Sequence, residues 1–415
     1  MRLTSVTLRN IRCIERLTLR FARRGASLLI AGDNGAGKST VLRAIAIGLC
    51  DESSAAALFR EIPGNFVKKD CGKGTITIEL MDTGAVTYTI ETTITPLKAF
   101  ERLTQKVWQK KAGKKRLHNQ DTFPWRRIFV SGYGSGLRTQ GTADFQKYLA
   151  VDAVYPLFRY DEPLQNPELA IRRIIDLARA KAPDDPKLAT KRANEKLAEL
   201  GDMICTTLDL PTGARLRLTS KGITVKGPWG THDLPSLGDG YRSTIIWLLD
   251  LLMWRILYHK NLNPQRMAGI ALIDEIEQHL HPKWQLNIMR ELNVALPAFQ
   301  FIATTHSPLV TSGCWGIPIQ VLEHREQRSE SVYGWLAHDV YREVMSLAST
   351  RPPEILENAN AFRRLHLKNL SKRPSASEKA KMLYLKRKLR CTLPPTDPLV
   401  TLIELENLST TLSSP

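Results

Sequence analysis

The stretch Gly32-Asp-Asn-Gly-Ala-Gly-Lys-Ser-Thr40 decides the fold of this 415-residue chain. It fits the pattern G-x-x-x-x-G-K-[ST], follows the apolar run 27–31 and precedes a helical pattern from about Lys38 to Leu49. A strand, a glycine-rich loop and a helix in this order form a phosphate-binding loop. A dinucleotide-binding loop is excluded, because its third glycine would fall where Lys38 and Ser39 stand. The sequence therefore predicts an α/β nucleotide-binding domain.

The residues of this loop have separate expected roles with ATP. Glycines let backbone N–H groups surround the β- and γ-phosphates, Lys38 neutralises phosphate oxygens, and the Ser39 hydroxyl ligates Mg²⁺. ATP and Mg²⁺ are the expected cofactors. The expected nucleotide-binding residues of the loop are Gly32, Asn34, Gly35, Gly37, Lys38, Ser39 and Thr40.

Two later apolar runs end in residues that suit phosphoryl transfer. Residues 269–273 lead into Asp274 and Glu275, and residues 300–305 lead into His306. In a P-loop site, Asp274 would bind Mg²⁺ through water and Glu275 would act as general base. On the next parallel strand, His306 would reach the γ-phosphate and hold the attacking water or Glu275. The alternatives are a surface acid pair and a structural histidine.

The order of P-loop, Leu-Gly-Asp-Gly, Asp-Glu and histidine resembles ATP-binding cassette (ABC) ATPases of the SMC and RecF kind. The similarity is greatest to small bacterial ATPases of the OLD group, whose DE-x-E-x-H-L-H-P pattern is matched by Asp274-Glu-Ile-Glu-Gln-His-Leu-His-Pro282. The resemblance implies an ABC-type head with an inserted helical lobe and a helical C-terminal extension. It also implies a homodimer with ATP between the protomers. Residues 277–281 would then cross the dimer interface, with His279 and His281 as packing residues.

The same resemblance assigns two further motifs. Leu237-Gly-Asp-Gly-Tyr-Arg-Ser243 aligns with the signature L-S-x-G, with Gly238 in place of the serine. Gly238 and Gly240 would contact the nucleotide of the other protomer, and loss of the serine hydroxyl puts the rate of hydrolysis in doubt. The family's Q-loop would fall near residues 131–140, where either Arg138 or Gln140 could sense the metal; the alternative is a generic glycine-rich loop.

The positive charge of the chain is concentrated in two segments. Lys and Arg number 59 against 41 Asp and Glu, a net charge of +18. Residues 102–116 carry +7 and residues 363–390 carry +10. Neutralisation of phosphates by Lys and Arg predicts contact with nucleic acid. A solvated helix face and a surface for an acidic partner protein are the alternatives. The first segment is predicted to be a helix that runs into a loop.

The pattern of strands and helices predicts four segments. They are an ATPase lobe over 1–140 with a basic insertion at about 96–127, a helical lobe over 141–260, a second ATPase lobe over 261–350, and a basic helical extension over 351–415. Hairpins are predicted over 74–94 and 213–226, and one helix over 282–296. An apolar face along the tail, at Phe362, Leu365, Leu370, Met382, Leu385 and Leu389, is predicted to pack.

Composition excludes several classes of protein. No apolar run approaches the roughly 20 residues of a membrane-spanning helix, and the N-terminus lacks the apolar core of a signal peptide. Six scattered cysteines without a Cys-x-x-Cys motif suit the reducing cytoplasm and argue against a zinc site or a disulfide framework. The 109 residues after His306 hold no Asp-x-Asp, so a Toprim nuclease domain is not expected.

These observations favour an ATP-driven dimeric switch that controls a separate effector. The resemblance to Septu-type and retron-associated defence ATPases, which extends to Ser349-Thr-Arg-Pro-Pro-Glu-Ile355, implies a nuclease partner in bacterial anti-phage defence. The alternative is a RecF- or SMC-like ATPase that acts on DNA in repair or recombination. A transporter ATPase is disfavoured, because residues 277–281 and the helical lobe resemble the SMC and OLD kind.

Overall fold

The computed structural model of the chain describes residues 1–21, 26–82, 86–111, 113–136, 150–259, 267–322, 327–328, 331–347, 349–371 and 375–412. The chain folds into two compact units, Met1–Val340 and Tyr341–Pro415. The predicted α/β class is confirmed by the strands and helices of the first unit. The division into four functional segments stays a prediction.

The strands are β1 (Arg2–Ile11), β2 (Ile14–Arg20), β3 (Leu28–Ala31), β4 (Gly74–Met81), β5 (Thr87–Pro96), β6 (Glu101–Lys111), β7 (Lys114–His118), β8 (Val130–Tyr133), β9 (Arg215–Thr219), β10 (Gly222–Gly227), β11 (Gly230–Asp233), β12 (Gly269–Ile273), β13 (Phe299–Thr305), β14 (Ile319–Val321) and β15 (Gln327–Arg328). The α-helices are α1 (Lys38–Leu49), α2 (Glu52–Arg60), α3 (Pro167–Lys181), α4 (Pro186–Thr207), α5 (Asp239–His259), α6 (Pro282–Gln285), α7 (Ile288–Ala295), α8 (Pro308–Ser312), α9 (Ala337–Glu343), α10 (Pro353–Ser371), α11 (Ala376–Thr392) and α12 (Pro398–Leu412).

A mostly parallel sheet has the order β15-β14-β3-β13-β12-β8. All residues of β3 and β13 are buried, as expected for central strands that are covered on both faces. Ala31 pairs with Thr305, and Ile273 pairs with Ala303. Because β3, β13 and β12 are parallel neighbours, their carboxyl ends lie together at one edge of the sheet.

An antiparallel sheet has the order β2-β1-β4-β5-β6-β7. Side chains along β4 and β5 are buried on one face and half-buried on the other. Helix α1 approaches the buried face closely, because a Cβ atom at Gly48 would lie 2.7 Å from Cγ1 of Ile78. The sheet thus supports the helix that begins at the P-loop.

The prediction of a helix in residues 102–116 is wrong. This segment forms the edge hairpin β6–β7, and β6 pairs with β5 over ten residues. Over residues 101–107 burial alternates with the period of a strand, because Glu101 and Leu103 are half-buried, Gln105 and Val107 are buried, and the residues between them are exposed. The many charged residues between them concealed that alternation.

Two smaller expectations are also corrected. The predicted helix over 282–296 is divided into α6 and α7, and at the break Gly313 lies against the carbonyl of Leu286, where a Cβ atom would come within 1.9 Å. The predicted hairpin over 213–226 is confirmed as β9 and β10, but a third strand, β11, joins it. The predicted hairpin over 74–94 is confirmed as β4 and β5, although residues 83–85 lie outside the described residues.

The second unit is helical over α10, α11 and α12, as predicted. Its core is formed by Ala359, Phe362, Leu385, Leu389, Leu399 and Ile403. Of the predicted apolar face, Leu365 and Met382 pack at the margin of this core, and the side chain of Leu370 lies outside the described residues. Across the described ranges, no helix is long and apolar enough to cross a membrane.

Candidate nucleotide-binding site

Three adjacent strand ends bring the predicted site residues to one edge of the parallel sheet. The P-loop follows β3, Asp274 and Glu275 follow β12, and His306 follows β13. Crevices at the carboxyl ends of parallel strands are where α/β folds bind ligands. The fold therefore places the P-loop, the acid pair and the histidine where one nucleotide could contact all of them.

The backbone of the P-loop depends on its glycines. Gly35 has a φ of 86°, and Gly37, which precedes α1, has a φ of 99°. A Cβ atom at Gly37 would also lie 2.7 Å from Sγ of Cys13. Any other residue at Gly37 would therefore be strained and crowded.

The side chain of Lys38 is buried beneath this loop. Its Nζ donates hydrogen bonds to the carbonyl oxygens of Gly32, at 2.7 Å, and Asp33, at 3.0 Å. Ser39 and Thr40 follow in the first turn of α1, and Asn34 is exposed on the loop. The loop and the helix N-terminus together form a site suited to phosphate.

Asp274 is buried and is held by its neighbours. Thr304 of β13 donates a hydrogen bond from Oγ1 to Oδ1 of Asp274 at 2.5 Å, and the backbone N–H of Asp274 donates to the carbonyl of Tyr133 at 2.8 Å. Burial lowers the pKa of Arg43, and the negative charge of Asp274 partly opposes that shift. The hydroxyl of Ser39 and the carboxylate of Asp274 are hard oxygen donors, which fit Mg²⁺.

Glu275 has an unusual backbone conformation at the end of β12. Its φ is 49°, in the left-handed region that few non-glycine residues adopt. Its backbone N–H donates to Oγ1 of Thr304 at 2.8 Å. The Thr304 hydroxyl thus accepts a hydrogen bond from Glu275 and donates one to Asp274. Strained conformations of this kind cluster at functional sites. The sequence reasoning missed Thr304, which carries no motif of its own.

His306 is bound to Glu277. The backbone N–H of His306 donates to Oε1 of Glu277 at 2.7 Å, and the ring Nδ1 lies 3.0 Å from the same oxygen. The ring is 53% exposed, whereas Glu277 is 7% exposed. The family resemblance implied for Glu277 only a place in an interface loop. Contact of His306 with the γ-phosphate, the attacking water or Glu275 stays a prediction.

The signature motif lies against the loop that follows Asp274. Helix α5 begins at Asp239, and a Cβ atom at Gly240 would lie 2.6 Å from the carbonyl oxygen of His279. Nothing lies within 4 Å of the corresponding position at Gly238. The rings of Tyr241 and Trp284 pack edge to face, with their centroids 4.3 Å apart. The start of α5 and residues 279–284 therefore form one packed surface.

The remaining motif residues have more local roles. His279 is exposed with a φ of 63°, and Nδ1 of the exposed His281 accepts a hydrogen bond from the N–H of Lys283 at the start of α6. The role of packing residues across a dimer interface stays a prediction for both histidines. Arg138 and Gln140, the two Q-loop candidates, lie outside the described residues.

A buried carboxylate links β8 to α5 behind the site. Asp250 accepts hydrogen bonds from the hydroxyl of Tyr133 and the N–H of Gln165, each at 2.8 Å. Burial raises the pKa of Asp250 to about 6, against the lowering effect of these hydrogen bonds. No sequence pattern indicated this pair, because Asp250 lies in an apolar stretch that carries no motif.

The first basic segment is displayed on the edge hairpin β6–β7. All of its Lys and Arg residues are exposed, and Nζ of Lys115 lies 4.6 Å from the ring centroid of Trp108. Lys110 pairs directly with Lys115, and Lys111 pairs with Lys114. Like charges directly opposite each other destabilise a hairpin, so this edge favours a bound anion.

The second basic segment covers α10 and α11 of the second unit. Lys368 is paired with Glu378 at 2.5 Å, and Lys388 with Glu354 at 2.7 Å. Its exposed cations include Arg363, Arg364, Lys379, Lys381, Arg387 and Arg390. Part of this charge is therefore neutralised within the unit, whereas the described residues show no ion pair for the cations of the edge hairpin.

Two family profiles match the two halves of the site. Residues 5–136 match the profile "AAA domain", and residues 233–312 match "AAA domain, putative AbiEii toxin, Type IV TA system". The first match contains the P-loop, and the second contains Gly238, Gly240, Asp274 and His306. The chain thus carries AAA-family ATPase domain segments.

The chain is homologous to Septu PtuA and to retron ATPases. It is 25% identical to the Septu protein PtuA of Bacillus mycoides over 330 residues, which are 77% of this chain and 40% of that protein. It is 37% identical to the "Retron Vc95 probable ATPase" of Vibrio cholerae over 94 residues, which are 22% of this chain and 18% of that protein. The chain thus spans less than half the length of these curated relatives.

Solved structures of ATPase heads are similar at low sequence identity. An Smc head domain derived from Pyrococcus furiosus, bound to the C-terminal domain of ScpA, aligns with a TM-score of 0.49 and 14% identity, over 79% of this chain and 95% of that chain. The recombination mediator RecF aligns with a TM-score of 0.41 and 14% identity, over 76% and 95%.

Proposed function

We propose that this chain binds and hydrolyses ATP at the carboxyl ends of β3, β12 and β13. The observation that carries the proposal is the meeting of a P-loop, a fixed buried aspartate and a histidine on three adjacent parallel strands. Lys38 would bind phosphate, and Ser39 and Asp274 would hold Mg²⁺, which would neutralise phosphate charge. Glu275 polarises the attacking water, and His306 contacts the γ-phosphate.

The nucleotide is proposed to join two copies of the chain. Gly238 and Gly240 stand at the N-terminus of α5, which favours a phosphate group. In a head-to-tail dimer each α5 N-terminus would receive the γ-phosphate that is held by the partner's P-loop. ATP would then stabilise the dimer, and hydrolysis would release it.

The substitution Glu275→Gln tests the assignment of the base and the dimer together. It keeps the shape of the side chain and removes the proton acceptor, so we expect turnover to fall by about 100-fold or more while ATP binding persists. Size-exclusion chromatography with ATP and Mg²⁺ should then show a persistent dimer. Glu199→Gln, at an exposed position of α4, is the matched control. Wild-type turnover in Glu275→Gln would remove Glu275 as the base.

The dimer is proposed to control a partner effector, with a nuclease as the favoured class, in anti-phage defence in the bacterial cytoplasm. The support is homology to Septu PtuA and retron ATPases. Purification of the tagged chain expressed with its neighbouring genes tests this proposal. Recovery of a nuclease subunit that is released or activated by nucleotide supports the switch, whereas recovery of replication or repair proteins favours the alternative of a RecF- or SMC-like DNA ATPase.

Nucleic acid is proposed to contact segments 102–116 and 363–390. The support for the first segment is the row of exposed, like-charged cross-strand pairs on β6 and β7 beside Trp108. Phosphates would relieve that repulsion, and an aromatic ring among cations suits contact with bases. The helical segment 363–390 contributes exposed cations from α10 and α11.

A further inference from the structure

The carboxylate of Glu277 is buried next to an exposed imidazole. One oxygen, Oε1, receives both the backbone N–H and the ring Nδ1 of His306, at 2.7 and 3.0 Å. Two contacts to one oxygen define both the position of residue 306 and the rotation of its ring. The ring is therefore oriented by Glu277, although more than half of its surface is open to solvent.

The second oxygen of Glu277 shows that this arrangement is costly. Within the described part of the chain, Oε2 is buried and has no hydrogen-bond partner. A buried acceptor without a donor destabilises the folded state. An apolar side chain would avoid this cost, so stability alone does not explain a carboxylate at this position.

A second contact fixes the same two loops to each other. Gln285 accepts a hydrogen bond from Oγ of Ser307 at 2.7 Å and donates one to the carbonyl of Leu280 at 3.0 Å. The residue after His306 and the loop after Glu277 are thus joined at two points. These contacts hold the backbone next to His306 in place relative to the segment that carries Glu277.

We propose that Glu277 is the positioning residue for His306 in the reaction. A carboxylate only accepts hydrogen bonds, so Nδ1 must carry the proton, and Nε2 of the neutral ring is left as an acceptor that can take a hydrogen bond from the attacking water. Because Glu277 is buried and both of its contacts through Oε1 are with His306, it acts through His306. This inference rests on the proposed ATPase function and adds to it the residue that fixes the tautomer.

Kinetics of paired variants test the proposal. We expect Glu277→Ala to lower kcat by about 10- to 100-fold with little change in the KM for ATP, as for other residues that orient a reacting group. The double variant Glu277→Ala/His306→Ala should be no slower than His306→Ala alone. Glu277→Gln, whose amide oxygen accepts the same two hydrogen bonds, should recover most of the rate. Wild-type kcat in Glu277→Ala, or additive losses in the double variant, would overturn the proposal.

Nitrogen NMR of the histidine rings decides the question without ATP turnover. Spectra of protein with ¹⁵N-labelled histidine, with the His306 signals identified from His306→Gln, should show Nδ1 protonated in the neutral ring of the wild type and of Glu277→Gln. Glu277→Ala should move that proton to Nε2. The same tautomer in wild type and Glu277→Ala would refute the role of Glu277. A wild-type protein with the predicted tautomer and no ATPase activity would refute the proposed function instead.

Discussion

The two six-stranded sheets of the first unit carry their candidate functional residues in different places. In the parallel sheet these residues follow the ends of buried strands, where few side chains are within reach of a ligand. In the antiparallel sheet the cations lie along the exposed edge hairpin β6–β7, and each of them offers the same positive charge to a ligand. Single substitutions should therefore have large effects at the strand ends and small, graded effects on the hairpin.

The largest effect on stability is expected behind the strand ends, at Asp250. The folded state keeps its carboxyl protonated up to a pKa of about 6, against an ordinary value of 3.8. Folding therefore loses free energy as pH rises through this interval, and the loss persists above it. Asp250→Asn should remove this pH-dependent loss of folding free energy. The loss amounts to about 2–3 kcal/mol if the full difference in the pKa of Asp250 contributes.

Denaturant unfolding of both proteins at several pH values from 4 to 8 measures this difference. The free-energy difference between wild type and Asp250→Asn should change across the interval and be constant above pH 7. Parallel curves would mean that Asp250 titrates alike in the folded and unfolded chain, and that the buried link from β8 to α5 is not a source of pH dependence.

A smaller effect on stability is expected where the start of α5 meets the loop after Asp274. Gly240→Ala would bring a methyl group to 2.6 Å from the carbonyl oxygen of His279, so the start of α5 must shift. We expect a loss of about 1–2 kcal/mol, because crowding outweighs the higher helix propensity of alanine. Gly238→Ala is the matched control, since nothing lies within 4 Å of its Cβ position. Equal free energies of unfolding for the two variants would contradict this packing.

The smallest effects per residue are expected on the edge hairpin. Replacement of Lys110, Lys111, Lys114 and Lys115 by Gln should weaken binding of single-stranded DNA and reduce the salt slope by about one for each phosphate that is no longer neutralised. Removal of the like-charged pairs should stabilise the hairpin by about 0.2–1 kcal/mol per pair. A double variant of Lys187 and Lys191 on α4 serves as control. An unchanged salt slope would exclude the hairpin as a binding surface for nucleic acid.

The same contrast explains what the sequence could predict. The P-loop and the two strand ends were predictable, because loop, strand and helix signals are local and agree with one another from residue 27 to Leu49. The strand conformation of the edge hairpin was not predictable, because only Gln105 and Val107 mark its buried face among seven cations. Its strand conformation depends on pairing with β5, which is a tertiary contact.

Within the site, sequence motifs identified residues but not their partners. Thr304 lies inside an apolar strand pattern, and Glu277 lies inside a recognised motif. Their contacts with Asp274 and His306 depend on the register of β12 against β13, which no local pattern contains. The hydrogen bond from Tyr133 to Asp250 spans 117 residues and was equally hidden.

Steady-state ATP turnover of Asp274→Asn tests the central claim most directly. Asp51→Asn is the matched control, because Asp51 is the N-cap of α2 and asparagine caps helices equally well. We predict that Asp274→Asn lowers Mg²⁺-dependent turnover by about 100-fold or more, as expected when a charge-stabilising group is removed, and that Asp51→Asn retains the wild-type rate. Equal turnover in Asp274→Asn and the wild type would contradict the placement of the nucleotide site at the ends of β3, β12 and β13.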